Sequence, residues 1–327
     1  MKKLLILSCA VSLTLPSSLF PDMEIPEELS IQQPTLSYEE PMIREDSIGD
    51  SPFELMKPEK STFLTVGLSA LYPGLGHAYL GEMGEASMLA GSYTSGVVAM
   101  QQLSLSQDGY IGAFEAAMTA WSYGMYASYR DVRNYNENRI YTYDMPQDSF
   151  AGISLASVNP KILKKFEVWG GVVGALIAGA TITNLSFSDK ATALTCSSTN
   201  NIHPLFAFPT GISEEAFFRG FLQSSISEIS NNPVIGIIGS SLLFGAAHIA
   251  NAGALEPEYR TRYYTVSLPF ITALGAYFGL LTYKNKSLKE AVAVHAWYDF
   301  VLFLASRAVT EAKINHRPVT YQISFDF

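Results

Sequence analysis

Cysteine is almost absent from this chain: Cys9 and Cys196 are the two in 327 residues. That excludes a disulfide framework and any cysteine-rich metal site. Charge is scarce too, at 16% of residues against about 25% in an average soluble domain. Basic residues are the rarer sign, 21 against 30 acids, and they form no broad patch, so no nucleic-acid partner is expected. The acidity is also local. Residues 21–60 hold eleven acids, three bases and six prolines, whereas residues 61–327 carry a net charge of −3. Apolar sequence is what the chain has in quantity, 48% of it. With so little polar surface, the expected fold class is all-α, a polytopic integral membrane bundle of about eight transmembrane helices. The expected location is the bacterial inner (cytoplasmic) membrane, with the lipid bilayer as a partner.

Met1-Lys2-Lys3 followed by the apolar run 4–15 reads as a signal segment over residues 1–20, with a poor cleavage pattern in Pro16-Ser17-Ser18-Leu19-Phe20. The run is too short to cross about 30 Å of hydrocarbon. Ile6-Leu7-Ser8-Cys9 is a faint lipoprotein box with too little apolar sequence ahead of it. Residues 21–61 read as an acidic disordered arm. Expected spans follow at 62–80, 86–104, 111–129, 166–185, 203–229, 233–250, 264–283 and 288–308. They group into an N-terminal membrane module (62–130), a polar linker (131–164) and a C-terminal membrane module (165–309), with a tail at 310–327. The tail's Val319–Phe327 alternates like a strand. If the signal exports the arm, Arg130, Arg133, Arg139, Lys161, Lys164 and Lys165 lie inside, as do Lys284, Lys286 and Lys289, in line with the positive-inside bias. Arg260 and Arg262 fall outside and count against it.

Ionisable residues within apolar segments are costly and tend to be functional. Three such places stand out, all in the C-terminal module. In Gly211-Ile212-Ser213-Glu214-Glu215-Ala216-Phe217-Phe218-Arg219-Gly220, Glu215 and Arg219 are one helical turn apart and can neutralise each other. Glu214 points about 100° away, free for another task such as general-base work. A Glu–Arg staple with a second glutamate facing a neighbouring helix reads equally well. Phe244 and His248 share a face at the end of a second apolar segment, where a satisfied core histidine is the plainer reading. His295 and Asp299 form a third i, i+4 pair, in which the carboxylate orients the imidazole or both face one cavity. One polar cavity fed by three helices accounts for all three costly placements together.

The ordered set Glu214-Glu215…Arg219, Phe244…His248 and His295…Asp299 resembles the motifs of the CAAX protease and bacteriocin-processing family of membrane endopeptidases, the type II CAAX prenyl endopeptidase-like glutamic intramembrane proteases. The resemblance covers roughly residues 165–308. It implies hydrolysis of a peptide bond in a membrane-embedded peptide or protein. Glu214 would activate water, assisted by His248. Glu215 and Arg219 would hold the helix and tune the field, and His295 would help polarise the scissile carbonyl. The family often has asparagine, the expected oxyanion donor, where this chain has Asp299. An ionised Asp299 would repel an oxyanion, so it is either protonated or orients His295. No cofactor or metal is expected. Zn²⁺ on Glu214, His248 and His295 ranks second, because no H-E-x-x-H helix is present. Two other classes remain open: a non-catalytic, immunity-type scaffold that binds a membrane peptide, and a proton-coupled transporter.

The N-terminal module offers Pro73-Gly74-Leu75-Gly76-His77-Ala78-Tyr79-Leu80-Gly81, similar to a stretch of small bacterial membrane modules. Its proline and glycines predict a broken helix near the interface, with His77 interfacial and non-catalytic.

Overall fold

The computed structural model describes residues 58–102, 104–137, 141–186, 203–255 and 257–314. The expected signal segment, nearly all of the acidic arm, and the strand-like tail lie outside the described residues, as do both cysteines. The described residues are helical and include no strand, so the all-α class holds. The principal helices are α1 (Thr62–Leu71), α2 (Leu75–Leu80), α3 (Met83–Gln102), α4 (Gln107–Tyr135), α5 (Phe150–Ser154), α6 (Pro160–Leu163) and α7 (Phe166–Ser186). They are followed by α8 (Ala207–Glu215), α9 (Ser224–Ser230), α10 (Pro233–Ala247), α11 (Pro257–Arg262), α12 (Leu268–Asn285) and α13 (Lys289–Ile314). Wider π-type turns at Ala216–Gln223 and Tyr263–Ser267 join α8 to α9 and α11 to α12.

Helix starts follow from short polar side chains that satisfy the first free N–H groups. Ser61 accepts from Leu64 N, Ser106 from Gly109 N and Asn159 from Lys161 N. Asn232 accepts from Val234 N, with Pro233 at the first helical position.

The eight-span expectation is supported only in part. Among the described residues, two helices are long and apolar enough to cross a membrane, Pro233–Gly253 and Pro257–Asn285, with shorter apolar helices at Thr62–Leu71 and Phe166–Thr181. The expected span 62–80 is broken into α1 and α2 at Pro73-Gly74, where Gly74 takes φ 92. Elsewhere, as in α4 and α13, charged residues interrupt the apolar run.

The distribution of polarity is nevertheless that of a bilayer protein. On α10 the apolar Val234, Ile235, Ile238, Leu242 and Leu243 face outward, while Ser240 and Ser241 are buried. Arg219, Gln223 and Glu215 lie fully inside. In water this arrangement would expose apolar surface and bury polar groups at once, both unfavourable.

The polar stretch after α4 is docked rather than free. Asp148 caps the start of α13, its Oδ2 accepting from Leu288 N at 2.7 Å and its Oδ1 facing Lys289 Nζ at 2.9 Å. Arg130 of α4 donates to the Asp148 carbonyl at 2.6 Å. Tyr126, fully buried on α4, donates to Pro146 O and Asp148 O at 3.0 and 3.2 Å. Its ring therefore has little room to move, and it packs on Gly220, where a Cβ would stand 2.5 Å from Tyr126 Cδ2. Gly220→Ala is expected to cost about 1–3 kcal/mol by overpacking, read as a lowered unfolding temperature in detergent.

Candidate active site

Glu214 and Glu215 end α8, and the π-type turn that follows carries Arg219. Such widened turns recur at functional sites because they re-aim side chains that a regular helix would stack. Arg219 Nη1 donates to Glu215 Oε1 at 3.1 Å, with both side chains fully buried. The expected pair is present. Glu215 does more than neutralise arginine, however: its Oε1 also accepts from His295 Nδ1 at 2.8 Å.

That bond sets the imidazole's orientation. With Nδ1 donating to Glu215, Nε2 points at two other carboxylates, Asp299 Oδ2 at 3.3 Å and Glu214 Oε2 at 3.8 Å. His295 is thus oriented by Glu215, a partner 80 positions away, rather than by Asp299 alone as i, i+4 spacing suggests. Its ring stacks on Phe278 with centroids 5.0 Å apart.

His248 closes α10 as its C-cap. Its Nδ1 donates to Phe244 O at 2.8 Å, which leaves Nε2 unprotonated in the neutral ring. Tyr263 Oη donates to the His248 carbonyl at 2.8 Å and ties this turn to the widened segment before α12. Phe244 packs against all three motifs. Its ring lies 4.7 Å from that of His248 and 5.9 Å from that of His295, and the Arg219 guanidinium sits 4.3 Å over it. An aromatic face there offers a buried guanidinium cation–π attraction as well as packing.

Glu214, His248, His295 and Asp299 line one cavity of about 180 Å³. Ile271, Leu274, Leu302 and Phe303 form much of its apolar wall. The structure therefore gathers four of the six expected residues around one space, with Glu215 and Arg219 behind them.

Polar groups at this site that were not anticipated include Asn251 and Glu115. Asn251 lines the cavity one turn past His248. Glu115, on α4, approaches the cavity-lining Thr210 and interacts electrostatically with Glu214 and Asp299. Glu115 carried the signal that singled out Glu214, an acid within an apolar segment. Asn251 carried none, since a lone amide at a helix end is ordinary turn chemistry.

Residues 202–301 match the family model of the type II CAAX prenyl endopeptidases, Rce1-like. That stretch contains all three motifs and the cavity-lining Asn251. No curated protein and no solved structure matches the chain.

Proposed function

We propose that this chain is an intramembrane endopeptidase that hydrolyses a peptide bond in a membrane-embedded peptide or protein, with Glu214 as the base that activates water. The observation that carries the reading is the position of Glu214 in the cavity, its Oε2 3.8 Å from His295 Nε2 and without a hydrogen-bond partner among the described residues. A water bound between Glu214 and His248 would attack the scissile carbonyl carbon and pass its proton to Glu214. His295 and the Asn251 amide would donate to the oxyanion. As the tetrahedral intermediate collapses, the C–N bond breaks and Glu214 returns the proton to the leaving amine. No metal is required in this scheme. The apolar wall suits a substrate segment that arrives from lipid, and the motif-bearing helices would sit within an eight-span bundle in a bacterial inner membrane.

The test compares new protein N-termini in membranes of cells making wild type or Glu214→Gln at equal levels. Termini lost with the variant are the expected result, and they would identify the substrate. An unchanged set, with purified protein equally inert toward the peptides retained on it, would transfer the assignment to the non-catalytic scaffold. Asp299 is the observation that favours that second reading, because an ionised carboxylate at this position opposes an oxyanion.

The two oxyanion candidates can be separated. Asn251→Ala is expected to lower kcat by about 10²–10³-fold, the cost of one lost oxyanion donor. Asp299→Asn is expected to retain activity, since the amide keeps contact with His295 and removes a repelling charge. The cleavage kinetics of the two variants side by side check both.

A further inference from the structure

The Pro73–Gly81 stretch lies outside the cavity at Glu214, yet it assembles a second set of ionisable groups. Gly74 takes φ 92 and lies so close to Ala86 that any Cβ would overlap its carbonyl oxygen. Gly81, at φ 90, closes α2 and turns the chain back so that Glu82 N donates to His77 O at 2.9 Å. His77 is thereby held inward, fully buried, with neither ring nitrogen in a hydrogen bond among the described residues. Its Nε2 stands 3.4 Å from Asp131 Oδ2 and 3.6 Å from Glu85 Oε2. Glu82 completes the group: one ligand atom from each of the four residues lies within 4.8 Å of the others.

The two His77 separations are long for hydrogen bonds but natural for ligands sharing an ion. Tetrahedral ligands about 2.1 Å from a metal stand roughly 3.4 Å apart. The local charge agrees. Arg130 donates to Asp131 through Nε at 2.6 Å and Nη2 at 2.8 Å, offsetting one of the three carboxylates. With a neutral imidazole the remainder is the complement of a divalent cation. Among the described residues, Glu82 Oε2 and both His77 ring nitrogens are buried without a hydrogen bond, and these costs would be relieved by coordination. The Glu85 side chain, 43% exposed, leaves an entry path from water.

We propose that His77, Glu82, Glu85 and Asp131 bind a divalent first-row transition-metal cation that ties α2 and the start of α3 to the end of α4. One imidazole nitrogen with three carboxylate oxygens suits Mn²⁺, Fe²⁺ or Zn²⁺. The residue types had pointed to an interfacial His77 and to no metal, because spacing along the chain does not bring Asp131 to Glu85. The site stands independently of the protease reading.

The full-length protein, purified in detergent and stripped with a chelator, is titrated separately with Mn²⁺ and Zn²⁺. Metal retained after desalting and the unfolding temperature are measured. Wild type is expected to retain about one equivalent and to unfold at a higher temperature when loaded. His77→Gln and Glu85→Gln are each expected to weaken binding at least about tenfold, the lower end of what losing even a supporting partner costs a metal site. Glu214→Gln is expected to bind as wild type does. Glu85 is partly exposed, so its variant decides the matter if His77→Gln does not fold. Failure of wild type to retain either ion, binding unchanged in Glu85→Gln, or binding lost in Glu214→Gln would each overturn the assignment.

Discussion

Glu214→Gln is expected to lower the rate of peptide-bond cleavage about 10²–10⁴-fold, the contribution of a positioned general base. Its unfolding temperature should stay that of wild type. Glutamine keeps the shape of the side chain but cannot take a proton from water. It also strands no neighbour, because Glu214 Oε2 has no hydrogen-bond partner among the described residues. Loss of rate without loss of stability therefore separates a catalytic carboxylate from a structural one. Glu215→Gln should behave differently and lower both quantities, since Glu215 Oε1 serves Arg219 and His295 together. Initial rates on a peptide identified from the N-terminus comparison, with unfolding of each variant in the same detergent, make the distinction. Equal losses of stability for the two glutamine variants would contradict the roles given to them.

Arg219→Ala carries the largest expected stability cost, about 3–5 kcal/mol, because it leaves an uncompensated carboxylate in the interior. The side chains of Arg219 and Glu215 are both fully buried. The substitution also removes the cation from above the Phe244 ring, 4.3 Å away. Replacing both partners by apolar residues of similar size, Glu215→Leu with Arg219→Met, should recover most of that stability, since neither charge then has to be desolvated. Cleavage should not recover with it. Without Glu215 the imidazole of His295 loses its Nδ1 acceptor, and with it the orientation that aims Nε2 at Glu214. Denaturant unfolding and cleavage assays on both variants test the two halves of this expectation.

Much of the site was legible in the sequence because its parts are local. Glu215 and Arg219 are one turn apart, and an ion pair at that spacing needs only a helix. The same holds for His295 with Asp299. That Glu214, His248 and His295 belong together rested on cost: each is an expensive group in apolar sequence, and one polar cavity accounts for all of them. The eight-span expectation fared less well. Hydropathy along the chain averages over faces, so it did not show the extent to which buried polar groups interrupt helices whose outward faces are apolar. The break at Pro73-Gly74, by contrast, was legible in its proline and glycines.

By itself, then, the sequence determined the helical class, the segments whose ionisable groups meet at one cavity, and the pairs held at one-turn spacing, because periodicity and local sterics are written along the chain. Only the tertiary structure decided which atom orients which. The bond from His295 to Glu215 spans 80 positions. The meeting of His77 with Asp131 spans 54, and the approach of Glu115 to Thr210 spans 95. Such contacts depend on how helices cross, and crossings are set by the packing of side chains on separate elements, which no local pattern encodes.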